Sequence, residues 1–138
     1  MTAKEYLNQA PRLDTIIDLK LAQVERLKSL RERVTTIMSD TPKGGGCGDR
    51  VVEITNRIWA LEEEINRDID RLVDLKADIR QRIGLLADER HRAVLESRYL
   101  LGYTWEQIAA AMMYDVRHVT RIHGYALMAL EKMSYYVH

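Results

Sequence analysis

The sequence predicts an all-α protein in two parts, an antiparallel helical hairpin followed by a C-terminal helix-turn-helix domain. Three observations predict this. Apolar residues recur at spacings of three and four through most of the chain, which is typical of helices that bury one face. The 138 residues include only two prolines, and they contain few runs of β-branched residues. A glycine-rich stretch separates two long helical segments, so that the second segment can fold back onto the first.

The first helix is predicted over residues 3–38. Thr2 can cap it, because Glu5 follows at the spacing of a capping box. Pro11 lies inside this segment and predicts a kink or a restart of the helix. Residues 39–50, SDTPKGGGCGDR, are predicted to be a loop, since one proline and four glycines oppose a helix there. The glycines lack the Lys-Ser/Thr pair of a phosphate-binding loop.

The second helix, residues 51–83, carries a heptad repeat that predicts a partner helix. One heptad position is apolar throughout: Val51, Ile58, Ile65, Leu72 and Ile79. The first helix can be this partner. Apolar residues at the edges of the hairpin, such as Trp59 and Leu19, then predict association with a second hairpin. We therefore expect a homo-oligomer, with a dimer as the simplest form.

Asp68 interrupts the second heptad position. One interpretation is a polar residue that sets the register of an oligomer. The other is a solvated position at the edge of the helix, and this is the interpretation that we favour because a local shift of the heptad would expose the side chain.

A third helix is predicted over residues 89–101, with Asp88 as its N-cap and Gly102 as its stop signal. Arg98 is expected to form a structural ion pair with Glu106. We place the domain boundary after residue 84, so that residues 1–84 form the oligomerisation hairpin and residues 85–138 form the second domain.

Two short helices joined by a tight turn are predicted next. Thr104 and Gln107 have the spacing of a capping box at the start of the first, and Asp115 can cap the second. The turn falls near Met113. The apolar stripe of the second helix consists of Val116, Val119, Ile122, Ala126 and Leu127. Three methionines are expected to fill the core: Met112, Met128 and Met133. This helix-turn-helix pattern is typical of proteins that present the second helix to a major groove.

The C-terminal part resembles region 4 of sigma-70-type factors in three features. These are the RYL run before the glycine, the helix start Thr-Trp-Glu-Gln-Ile-Ala, and the recognition-helix pattern Val-x-x-Val-x-Arg-Ile-His. The whole chain, with its MTAKEYL start and EEEINRDIDRLVDLK middle, resembles a family of small transcriptional regulators from phages and mobile elements of Gram-positive bacteria, related to phage late-gene activators. Two positions depart from the pattern. Met113 stands where the turn often has glycine, and Asp115 stands where the cap is usually Ser or Thr.

The second helix of the motif supplies the candidate DNA contacts. Arg117 and Arg121 lie four residues apart and so share a face. An arginine fork matches O6 and N7 of guanine, and the resemblance implies base contacts for both residues. Val116 is predicted to contact a thymine methyl group. Three further side chains are predicted to contact phosphates: His118, Thr120 and Tyr125. The alternative is that both arginines are only solvated surface.

Several classes of protein are excluded on the sequence. The sequence contains no recognisable set of catalytic residues, so we expect a non-enzymatic protein without cofactor or metal. His118 and His123 are five residues apart, which does not place them on one helix face as metal ligands. A single cysteine excludes an internal disulfide and suits a reducing cytoplasm. No apolar run of membrane-spanning length is present, and we expect no signal peptide. The formal net charge is zero, so any basic surface must be local.

The resemblance implies a sequence-specific regulator of phage or mobile-element genes that binds double-stranded DNA, with activation favoured over repression. RNA polymerase is left open as a second partner. One alternative is a phage small terminase subunit, which also joins a helix-turn-helix to helical oligomerisation elements but usually places the DNA-binding unit first. Another is an adaptor that binds RNA polymerase through protein contacts alone.

Overall fold

The computed structural model describes residues 1–40 and 45–136. Every regular element in this described part is a helix, which confirms the all-α class. The elements are α1 (Ala3–Asp40), α2 (Gly45–Gly84), α3 (Glu89–Leu95), a π-helical segment (Glu96–Leu100), α4 (Trp105–Met112) and α5 (Val116–Tyr136). Among the described helices, none has both the length and the apolar character needed to cross a membrane.

Helix α1 begins with the predicted capping box. The backbone N–H of Glu5 donates to Thr2 Oγ1 at 3.1 Å, and the N–H of Thr2 donates to Glu5 Oε2 at 3.4 Å. The helix continues through Pro11, so the restart considered there is wrong. A proline removes one helical hydrogen bond, and buried apolar residues on both sides offset this cost: Leu7, Ala10, Leu13 and Ile17.

The loop predicted over residues 39–50 is a second correction. Helix α1 extends to Asp40 and α2 begins at Gly45, so the described residues of this stretch are helical. Residues 41–44 lie outside the described part. A glycine weakens a helix by about 1 kcal/mol relative to alanine but, unlike proline, it leaves the backbone hydrogen bond intact. The glycines were therefore a weaker stop signal than we assumed.

The contacts divide the chain into two compact units. One is Asp14–Arg71, and the other combines Met1–Leu13 with Leu72–His138. This division differs from the boundary that we placed after residue 84, because the first turns of α1 and the last turns of α2 group with the C-terminal helices.

In the unit Asp14–Arg71, α1 and α2 run antiparallel. Lys20 of α1 contacts Asp68 of α2, and Arg31, further along α1, contacts Thr55, which comes earlier in α2. The seam between the helices is apolar. Its most buried residues are Ile17, Val24, Ile54, Ile58 and Ile65.

Asp68 lies in this seam and is only 7% exposed, so the solvated interpretation is wrong. Lys20 Nζ donates to Asp68 Oδ2 at 2.6 Å and lies 3.6 Å from Glu64 Oε2. The hydrogen bond to Asp68 raises the pKa of Lys20. The heptad of α2 alone could not show this, because the nearer of the two cations beside Asp68 is Lys20 of the other helix; Arg71 of α2 lies 3.8 Å away.

The second unit has its main core between the first turns of α1, the last turns of α2, the α3–π segment and α5. Its fully buried members are Leu7, Ala10, Ile79, Ile83, Leu95 and Ala126. Polar contacts surround this core. The Tyr6 hydroxyl donates to Asp78, Arg82 lies 4.8 Å from the centre of the Tyr6 ring, and the Ala3 N–H donates to Glu131 Oε2 at 2.7 Å.

The third predicted helix changes type part-way. It starts as predicted with Asp88, whose Oδ1 accepts from the Arg90 N–H at 2.8 Å. After Leu95 it becomes π-helical, with the Leu101 N–H donating to the Glu96 carbonyl at 3.1 Å. The buried residues explain the change: Val94 and Leu95 are followed five residues later by Tyr99 and Leu100, and all four are buried. Five residues is the hydrogen-bond spacing of a π-helix. Leu95, Tyr99 and Leu100 join the main core, and Val94 faces a separate cluster around Ile108.

Candidate nucleic-acid interface

Helix α4 starts at a complete capping box. The Gln107 N–H donates to Thr104 Oγ1 at 3.2 Å, and the Thr104 N–H donates to Gln107 Oε1 at 2.8 Å. Gly102, with a φ of 74°, ends the preceding π-helical segment as predicted. These two local signals fix where α4 begins relative to the segment before it.

The turn between α4 and α5 is only three residues long. Met113 takes the left-handed conformation with φ 60° and ψ 39°, and its N–H bonds the end of α4. Asp115 then caps α5, since its Oδ1 accepts from the His118 N–H at 2.7 Å. The methionine therefore adopts the backbone geometry that a glycine usually provides at such a turn.

A second apolar cluster packs α5 against α3 and α4. Its buried members are Val94, Ile108, Ala109, Val119 and Ile122, and Trp105, Met112 and Tyr114 pack around them. The small side chain of Ala109 allows α5 to approach α4. Because Val119 and Ile122 are held inside this cluster, the opposite side of α5 must face outwards.

Aromatic side chains connect the π-helical segment, α4 and α5. Tyr99 Oη lies 2.7 Å from His123 Nε2, and the Trp105 ring meets the His123 ring edge-on at 4.8 Å. The Arg98 guanidinium lies 4.3 Å from the centre of the Trp105 ring and donates to the Tyr103 carbonyl at 3.0 Å. Arg98 makes these contacts instead of the ion pair that we expected with Glu106.

The outward side of α5 brings three of the six candidate residues together. Arg117, Thr120 and Arg121 are all exposed and lie at spacings of three and four residues. The Thr120 hydroxyl donates to the Arg117 carbonyl at 3.0 Å, so its oxygen remains able to accept a further hydrogen bond. The face is formed at the start of α5, next to the turn.

The other three candidates lie at its edges. Val116, 38% exposed, and His118 are two residues apart, so they point to opposite sides of α5. The His118 ring is partly buried and meets the Tyr114 ring edge-on at 4.5 Å. Tyr125, 58% exposed, follows His118 by two helical turns and adjoins Arg121.

Two further residues on the outward side were missed by the sequence reasoning. Gly124 lies one turn after Arg121, and a Cβ atom added there would meet nothing within 4 Å. Met128, which we expected in the core, is 59% exposed on the same side. Their spacing of seven and eleven residues from Arg117 was the available signal. The sequence analysis predicts a core position for Met128 and makes no prediction for Gly124.

Charge is distributed unevenly in this part of the chain. Residues 88–138 contain six basic and six acidic side chains, but the segment from Val116 to Leu130 contains two arginines and no carboxylate. The face is therefore locally basic within a neutral domain. In the described part, no three histidine, cysteine or acidic side chains are grouped as metal ligands.

Comparison with known proteins gives no match: no family model, no curated protein and no solved structure is similar to this chain.

Proposed function

We propose that this protein is a sequence-specific DNA-binding regulator of transcription that reads the major groove with the first turns of α5. The observation that carries the proposal is the exposed pair Arg117 and Arg121, one helical turn apart on a face without carboxylates. The resemblance to region 4 of sigma-70-type factors supports the same assignment. Both arginines can reach outwards because α4 and the Asp115 cap hold the start of α5 at the surface.

The chemistry of these side chains suits base recognition. A guanidinium presents two parallel N–H donors, which match O6 and N7 of guanine in the major groove. Thr120 lies beside them and is assigned to a phosphate. Its hydroxyl would donate to a phosphate oxygen in place of the Arg117 carbonyl, and this contact would position the helix without reading sequence. Few phosphates can be neutralised by a domain of this charge, so we expect a shallow dependence of affinity on salt concentration.

Selection of binding sites from a random DNA library tests the proposal. If each arginine makes a bidentate guanine contact, Arg121→Ala should cost about 1–3 kcal/mol at the selected site and relax the preference at one base pair. Thr120→Ala should weaken all sequences alike. Arg80→Ala, which removes an exposed arginine from α2, is the matched control and should leave the base preference unchanged. A folded Arg117→Ala, Arg121→Ala double variant with unchanged affinity and preference would exclude this interface.

A protein contact at the same face is the second candidate, favoured by its apolar members. Val116, Tyr125 and Met128 are all exposed there, and exposed apolar side chains at an outward face can mark a protein-binding surface. This is the adaptor hypothesis, in which the partner is RNA polymerase. Capture of polymerase by the purified protein in the absence of DNA, lost on Tyr125→Ala and Met128→Ala, would support it.

The small-terminase alternative concerns the purpose of DNA binding. Crosslinking of the tagged protein to DNA across the host genome separates it from regulation. Peaks at promoters support a regulator, whereas peaks at a packaging site support a terminase subunit.

A further inference from the structure

The two sides of the α1–α2 pair in the unit Asp14–Arg71 differ in charge. On α2, Arg57 and Trp59 flank Ile58, which is 2% exposed and fixes the direction of the seam. Successive helical residues are turned by about 100°, so Arg57 and Trp59 lie on opposite sides of the seam. On α1, Gln23 and Glu25 flank the buried residue Val24 in the same way.

The first side, which we call the Arg57 groove, is an open groove of about 520 Å³. Its lining residues are Gln23, Arg26, Leu27, Arg57, Ala60 and Leu61. Leu27, Ala60 and Leu61 form an apolar floor, and the small Ala60 side chain leaves space above it. Arg26 supplies positive charge at the edge. The charge of Arg57 is balanced by Glu53 at 3.0 Å, and Glu64 lies 3.6 Å from Lys20.

The second side, which we call the Trp59 face, is apolar and acidic. Trp59 is 71% exposed, and Val52, one heptad earlier on the same side of α2, is 59% exposed. Exposed carboxylates surround them at helical spacings from both helices. These are Asp18, Glu25, Glu32, Glu62 and Glu63. Two basic residues lie on this side, Lys28 and Arg31, and the latter donates to Thr55 Oγ1 at 3.3 Å.

We propose that the Trp59 face of one copy of this chain packs into the Arg57 groove of a second copy. Trp59 supplies a large apolar side chain, and the groove supplies an apolar floor that water now covers. Glu62 and Glu63 beside Trp59 then meet Arg26 at the edge of the groove, and Arg57 can exchange its exposed partner Glu53 for one of them. Opposite charges at the edge favour this orientation over others.

Charge also decides against a two-fold dimer through either side alone. Two Trp59 faces brought together would oppose the carboxylates of Glu25, Glu62 and Glu63 in both copies. Two Arg57 grooves would oppose arginines. Because the two complementary surfaces differ, the contact is heterologous, and each added copy leaves one surface of each kind available. Such contacts produce a ring or an open filament.

Mixing two single variants of the full chain tests this directly. Trp59→Ala removes the inserted side chain, and Ala60→Glu fills the groove; both positions are exposed, so the fold is kept, which circular dichroism checks. Arg80→Ala, an exposed change on α2 that lies 21 residues beyond Trp59 and at neither surface, is the control. Sedimentation velocity at about tens of micromolar suits an interface of modest affinity.

The native protein and Arg80→Ala are expected to sediment as species larger than a dimer. Each of the other variants alone should lose all species heavier than the monomer. An equimolar mixture of them should form a 1:1 heterodimer, since one partner keeps the Trp59 face and the other keeps the groove. A monomeric native protein, a dimer unaffected by either variant, or a mixture that stays monomeric would overturn the proposal. None of these outcomes depends on DNA binding.

Discussion

Tyr99 and His123 join the π-helical segment to α5 through a 2.7 Å contact between the tyrosine hydroxyl and Nε2 of the imidazole. The two rings are stacked with their centres 5.7 Å apart. Burial of the imidazole, together with the positive charges of Lys4 and Arg98, lowers the pKa of His123 from 6.5 to about 4. The histidine is therefore neutral at physiological pH, and it serves as a structural side chain between the two apolar clusters.

The free energy of unfolding should consequently decrease as the pH is lowered below about 6.5. In the unfolded chain His123 takes up a proton near pH 6.5, but in the folded chain it does so only near pH 4. The unfolded state binds more protons between these values, so the contribution of His123 is complete above pH 6.5 and is lost as the pH falls towards 4. We expect a loss of about 1 kcal/mol between about pH 7 and pH 5, reduced for the solvent that reaches the ring.

Urea unfolding at several pH values measures this effect. His123→Gln removes the titrating group and should flatten the pH dependence in that range. His118→Gln, at a histidine on the same helix, is the control and should keep the native slope. Equal slopes for native protein and His123→Gln would show that His123 is not the group responsible.

The Lys20–Asp68 contact should respond differently to single and double substitution. Lys20→Met leaves the Asp68 carboxylate in the apolar seam without its 2.6 Å donor, so the urea midpoint should fall clearly. Lys20→Met combined with Asp68→Leu replaces the pair with apolar groups and should recover most or all of the midpoint. A Lys20→Met midpoint equal to that of the native protein would mean that Asp68 does not need Lys20, because water or Arg71, 3.8 Å from Asp68 Oδ1, neutralises the carboxylate. Arg57→Met, at an exposed ion pair, is the control and should change little.

Signals confined to a few neighbouring residues were the most predictable. The caps at Thr2, Asp88, Thr104 and Asp115 and the left-handed Gly102 all follow from one side chain and the next turn of backbone. The all-α class follows from the helical periodicity. Such features require no knowledge of what lies across the fold.

Features that depend on a distant partner were not predictable. Asp68 is buried because Lys20 approaches from another helix, and Arg98 turns from Glu106 to the face of Trp105. The sequence predicts an ordinary α-helix over residues 89–101, whereas buried residues five apart accompany a π-helical segment there. At the candidate interface, the polar residues could be predicted from their residue types and helical spacing. The exposure of Met128 could not, because it depends on which side of α5 the two apolar clusters cover.

Met113→Gly should stabilise the protein. A left-handed conformation costs a residue with a side chain about 1–2 kcal/mol, and glycine avoids this cost while losing more backbone entropy. The Met113 side chain is 90% exposed, so little packing is lost. We expect a net gain of about 0.5–1 kcal/mol in the free energy of unfolding. The same exchange at Met128, inside α5, should destabilise by about 1 kcal/mol, and equal effects at both sites would contradict the assigned turn.

Gly124→Ala and Gly124→Trp should separate stability from recognition at the candidate interface. Alanine suits a helix interior better by about 1 kcal/mol, and its Cβ meets nothing within 4 Å, so the free energy of unfolding should rise. Gly102→Ala, at φ 74°, should instead destabilise.

Tryptophan at residue 124 removes no charge and should leave the protein folded. If the face around Arg121 lies against DNA, its indole should reduce affinity for all sequences at least tenfold, a loss of about 1.4 kcal/mol or more. Unchanged affinity in Gly124→Trp would place the bound DNA away from this part of α5.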